Sequence, residues 1–187
     1  MIFRQIQNNN ISCKQMQLCN TLRRLWMEHV MWTRSFILST AFDSGDLDAV
    51  TKRLLQNPVD FAKAMNPYYG PKVARRFESL LTQHLLIAAQ LVNAAKAGDA
   101  RTAEEQRRQW YANADQIAQF LGNINPYWND RTWRNLLYDH LKMTENEAVQ
   151  ILSGQYRESI IEYDAIQNEA LAMADYMANG MIKQCQV

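Results

Sequence analysis

A chain of 187 residues, 48% hydrophobic and 21% charged, is one ordinary domain able to bury a single core, and these values exclude a disordered chain. Twenty basic against nineteen acidic residues leave a formal net charge of +1, which gives no field to attract nucleic acid or an anionic membrane. The three cysteines, Cys13, Cys19 and Cys185, show no C-x-x-C spacing, so neither a disulfide framework nor a zinc finger is expected; reduced thiols and a cytoplasmic setting are.

Residues 1–14 read as a flexible N-terminal tail with no apolar signal-peptide core, followed by a single helical-bundle domain over 15–187. Over 15–43 the residues Leu18, Leu22, Leu25, His29, Thr33, Phe36, Ile37 and Thr40 recur at three or four residues, which predicts one face of a long helix. A shorter helix is expected over 46–65, with Asp46 as its cap after Gly45. Val73, Phe77, Leu80, Leu81, His84, Ala88, Leu91 and Ala95 predict a long helix over 71–97, ended by Gly98 in the left-handed conformation. Trp110, Asn113, Ile117 and Leu121 mark a third long helix over 100–121, and a short one is expected over 129–142.

Thr144 followed by Glu147 has capping-box spacing and predicts the start of a last long helix, 145–182; Ser153-Gly154 either kinks it or marks its true start. That segment is apolar around much of its circumference, so it is expected at the centre of the fold or at the interface of a homo-oligomer. No run alternates with period two, so strands are not expected. The most apolar stretch, 85–95, carries Gln90 and Asn93 and is too short to span a bilayer. The fold class is therefore all-α: an up-down helical bundle of ferritin-like or similar type, with short accessory helices.

Two internal echoes run through the chain. Asn66-Pro67-Tyr68-Tyr69 precedes one histidine helix and Asn125-Pro126-Tyr127-Trp128 another, but at different gaps, which leaves duplication open. Their aromatic residues are expected to cap the bundle ends. All three histidines share a second frame: Leu25-Trp26-Met27-Glu28-His29-Val30, Leu80-Leu81-Thr82-Gln83-His84-Leu85 and Leu136-Leu137-Tyr138-Asp139-His140-Leu141. His29, His84 and Asp164 lie near the midpoints of their predicted helices, on largely apolar faces, with Asn113 at the corresponding place on the third helix. Imidazoles and a carboxylate converging from facing helices are how bundles build metal sites. The predicted ligands are His29, His84, Asp164 and, at a less certain depth, His140, for iron, manganese or zinc. Glu28, Gln83 and Asp139 point about 100° away from their histidines and are expected at most to orient a neighbouring imidazole. A core histidine that only satisfies a neighbour is the competing expectation.

Glu-x-x-His pairs of the di-iron type, H-E-x-x-H, a Walker A loop, a dinucleotide glycine fingerprint and G-x-S-x-G do not occur, so no nucleotide is expected. On LWMEHVMWTRSFI, LLTQHLLIAAQLVNAAKAGD, WYANAD, INPYW and LLYDHLKMTENEA, the chain resembles, over roughly 22–182, small bacterial proteins of unassigned function often labelled acetylglutamate kinase. That label implies an α/β kinase fold with glycine-rich phosphate loops, and neither its strands nor its loops are in this sequence. The stretch Glu28 to Ile37 also resembles the histidine-bearing helix of ferritin-like metal-binding bundles. Two functions are thus expected as alternatives: a metal-binding bundle with a His/Asp core site, or a non-catalytic oligomeric interaction module.

Overall fold

The computed structural model describes residues 11–186. Its regular elements are five helices: α1 (Cys13–Ala41), α2 (Leu47–Ala97), α3 (Ala100–Ile124), α4 (Asp130–Leu152) and α5 (Tyr156–Cys185). There is no strand among the described residues, and the all-α expectation holds. Most of the tail expected over 1–14 lies outside the described residues; Cys13 and Lys14 already belong to α1. Ser12 starts that helix through a capping box with Gln15, each side chain accepting from the other's backbone N–H.

α2 is two helical arms in one. Gly70 alone leaves helical geometry inside it, at φ 75° and ψ 170°, a conformation open to glycine and strained for other residues. Pro71 follows, at the start of the second arm, where a missing N–H costs nothing. The arms, 47–69 and 71–97, together with the other four helices make six rods in three consecutive hairpins.

The three hairpins are copies of one design. His29, His84 and His140 lie 55 and 56 residues apart, in the first rod of each. Fourteen residues after each histidine comes a left-handed residue: Asp43 (φ 50°), Gly98 (φ 71°) and Gly154 (φ 77°). The next N–H in each case bonds back to a carbonyl of the preceding helix, Ser44 to Ser39 at 2.9 Å, Asp99 to Ala94 at 3.0 Å and Gln155 to Gln150 at 2.8 Å. This is the Schellman ending three times over. The duplication left open by the sequence is thus a threefold repeat.

The helix start expected at 145 is not there. α4 runs unbroken to Leu152, and the last helix begins at Tyr156, after the Ser153-Gly154 turn. Thr144 and Glu147 have capping spacing for a different reason: both sit on the buried face of α4, where residues three apart share a side. Glu147 there accepts from Arg34 of α1, which also donates to the Ser159 carbonyl at 3.2 Å. Asp46 precedes α2 as expected, but its side chain accepts from Ser39 at 2.9 Å and caps no backbone N–H.

The rods pack as a ring in chain order, closed by α5 against α1; α1 and α2 also touch α4 across the middle. The core is layered by the repeat. Leu22, Phe77 and Trp133 lie seven residues before the histidines, and Trp26, Leu81 and Leu137 lie three before; all six are buried. The second rods contribute Phe61, Ile117 and Met173, then Met65, Leu121 and Met177, also all buried.

One end of the bundle is plugged by the aromatic residues of the two Asn-Pro junctions. Trp128 packs against Tyr69 and Trp133, and the Asn125 amide donates to the Tyr69 hydroxyl at 2.9 Å. Gly180 on α5 makes this plug fit, because a Cβ there would overlap the Trp128 indole. Gly180→Ala should therefore lose about 1–3 kcal/mol. At this chain length that lowers Tm by about 2–4 °C per kcal/mol. A calorimetric scan showing wild-type Tm for this variant would contradict the packing described.

Candidate functional site

All three histidines are buried, each about 2% exposed, and all three line one enclosed cavity with Trp26, Leu81, Trp133 and Leu137. Its volume is about 10 Å³. That is room for one water or one ion, and not for an organic substrate. The His29 and His140 ring centroids are 5.7 Å apart.

Each imidazole is held from behind by the second rod of its own hairpin. His29 Nδ1 lies 3.1 Å from Asn57 Oδ1, and Asn57 Nδ2 donates to the Leu25 carbonyl at 2.9 Å. His84 Nδ1 lies 2.8 Å from Asn113 Oδ1, and Asn113 Nδ2 donates to the Leu80 carbonyl at 3.2 Å. His140 Nδ1 lies 3.1 Å from Glu169 Oε2. The carbonyl bonds fix which way each amide points, so its oxygen faces the ring and the ring must donate from Nδ1. Glu169 presents a carboxylate, which only accepts. In a neutral ring of this tautomer the lone pair is on Nε2.

His84 differs from the other two. Its Nε2 accepts from the Trp110 indole at 3.0 Å, so both of its nitrogens are engaged. His29 and His140 make their ring hydrogen bonds at Nδ1, and among the described residues Nε2 of neither ring has a protein partner. Burial pushes His29 down to about 3, aided by repulsion from His140 and His84 and opposed by the Asn57 bond. Burial likewise pushes His84 down to about 3, against the Asn113 bond. Both are therefore neutral at physiological pH; the Nε2 lone pair of His29 is open, while that of His84 is taken by the Trp110 indole. On the Glu169 carboxylate, Oε1 is buried without a hydrogen-bond partner.

The structure thus brings His29, His84 and His140 together and leaves Asp164 out. Asp164 is exposed, because the buried stripe of α5 runs through Ile166, Ala170, Met173 and Met177. Two residues before Ile166, Asp164 points roughly 200° away from that stripe. The carboxylate that reaches a histidine is Glu169. The residues before the histidines do not orient imidazoles: Glu28 pairs with Arg24 and Arg53, and Gln83 and Asp139 are exposed. Sequence reasoning missed Asn57 and Glu169, although their signal was present, since Asn57, Asn113 and Glu169 follow their histidines by 28, 29 and 29 residues.

Among the described residues, no group of three or more His, Cys, Asp or Glu side chains stands ready-arranged around an ion position. The three cysteines are free thiols, and no described helix is long and apolar enough to cross a membrane. Compared with family models, curated proteins and solved structures, the chain matches none of them.

Proposed function

We propose that this protein binds one divalent transition-metal ion in the bundle centre, between His29 and His140, with His84 as a third ligand once Trp110 releases it. The observation that carries this reading is the outward anchoring of Nδ1 in all three rings that line one ion-sized cavity. Metal-ligating histidines almost always give their other ring nitrogen to such an acceptor, which fixes the tautomer and the ring orientation. Three imidazoles with an open fourth position suit zinc, and nitrogen donors beside a carboxylate also suit iron and manganese. Glu169, half-buried behind His140 Nδ1, is the acceptor that would orient that imidazole toward a cation. The ferritin-like likeness of the Glu28–Ile37 stretch supports the same reading.

A second reading is a non-catalytic module whose histidines only hold the hairpins together. It is favoured by the Trp110–His84 bond, which leaves His84 without a free nitrogen, and by exposed Tyr156, Ile160 and Ile161 on α5, which suit contact with another chain or copy. Elemental analysis of protein purified without affinity-tag metal separates the two. The metal reading expects about one ion per chain, its loss in His29→Ala and His140→Ala, and tighter binding in Trp110→Phe, where His84 Nε2 is freed. Metal at a hundred times its Kd should add about 2.7 kcal/mol of stability. Metal-free protein with no rise in Tm on adding zinc, manganese or ferrous ion would leave the structural reading in its place.

A further inference from the structure

A second cavity, of about 70 Å³, lies on the other side of the histidine layer, one helical turn toward the hairpin turns. Its inner wall is Thr33, Ala88 and Thr144, each four residues after a histidine, with Ile37, Val92 and Ala148 one turn beyond. It offers about five times the space that one water needs. Its lining is almost wholly apolar. The ion pair of Arg107 with Glu145, bridging α3 and α4, stands among the lining residues, as does half-exposed Val149.

One polar atom in this lining has no partner. Thr144 is 5% exposed, and its hydroxyl has no hydrogen-bond partner. Helical threonines ordinarily settle this by donating to a carbonyl one turn back. Thr33, at the same place in the first hairpin, donates to the His29 carbonyl at 2.8 Å, and Thr51 donates to the Leu47 carbonyl at 2.7 Å. Thr144 does not. A buried hydroxyl without a partner is costly, so its presence in an otherwise apolar lining points to a group that arrives from outside.

We infer that this cavity binds a small uncharged molecule with an apolar body and one hydrogen-bonding group, which meets the Thr144 hydroxyl. A charged ligand does not fit, because Arg107 is already neutralised by Glu145 and Glu104 and no other charge lines the space. The site does not rest on the metal reading, since none of the three histidines lines it.

Phenol and toluene, which share a ring and differ by hydroxyl against methyl, are the probes. Titrated into isotopically labelled full-length protein, phenol should shift the Ile37, Leu54 and Val92 methyl resonances at a lower concentration than toluene. Thr144→Val keeps the shape and removes the hydroxyl; it should weaken phenol about tenfold and leave toluene unchanged. Ala148→Phe should fill the cavity and abolish binding of both. Absence of methyl shifts with either probe in the wild type, or equal phenol affinity in wild type and a folded Thr144→Val, would overturn the proposal.

Discussion

Acidification should unfold this protein steeply between about pH 6 and pH 4. His29 and His84 are held at about 3 in the fold, against an ordinary value of 6.5. Below 6.5 the unfolded chain therefore binds two protons that the folded chain refuses. The stability they contribute is whole above pH 6.5 and is lost progressively as pH falls from 6.5 toward 3. Each histidine costs about 1.4 kcal/mol per pH unit across that window, so the pair gives a slope of about 2.7 kcal/mol per unit. By pH 4.5 that is about 5 kcal/mol, as large as the whole stability of many domains. Glu147 works in the opposite sense, because burial raises it above the ordinary carboxylate value despite Arg34, and it softens the slope only near its own titration. Urea unfolding followed by circular dichroism at successive pH values reads the effect directly. His84→Gln should remove about half of it. A stability that is flat from pH 7 to pH 5 would show that the imidazoles are not held neutral.

Arg34→Met should destabilise the fold by about 3–5 kcal/mol. Glu147 is 1% exposed and sits on the inward face of α4, so removing Arg34 leaves a carboxylate buried without its countercharge. The Ser159 carbonyl at the start of α5 loses a donor in the same change, and Tyr163 loses the guanidinium over its ring. Removing both charges is a different matter. Arg34→Met combined with Glu147→Leu should recover most of the loss, because the desolvation that the pair endures disappears with it. Chemical denaturation of the wild type, the single variant and the double variant tests this. A single variant within 1 kcal/mol of wild type would mean that Arg34 does not neutralise Glu147.

The helical character of the chain, the ends at Gly98 and the core faces bearing His29 and His84 were all readable from periodicity, because burial on a helix imposes a 3.6-residue rhythm. What periodicity could not supply was long-range register. Thr144 and Glu147 imitate a helix start, since capping and a shared buried face demand the same spacing. Accepting that start places the midpoint of the last helix at Asp164; with α5 beginning at Tyr156, the midpoint moves to Ala170, beside Glu169. One misplaced boundary thus carried the wrong carboxylate into the site. The threefold repeat was hidden for a related reason. The Asn-Pro junctions are the more conspicuous echo, yet they differ in build, a single glycine break at Gly70 against a true loop after Ile124. The even spacing of the histidines and of Asp43, Gly98 and Gly154 carries the repeat instead. Asp43 conceals it further by occupying a left-handed position without being a glycine.

The imidazole frame is therefore an expression of the repeat: each hairpin presents one ring inward and anchors it from its second rod. Whether those rings hold a metal is read most directly by nitrogen-15 spectra of the three side chains at neutral pH, before and after one equivalent of zinc. The metal reading predicts His29 and His84 as neutral rings protonated at Nδ1, with the Nε2 resonances of His29 and His140 moving in slow exchange as zinc is added. Rings protonated at Nε2, or Nε2 signals that ignore zinc, would contradict it.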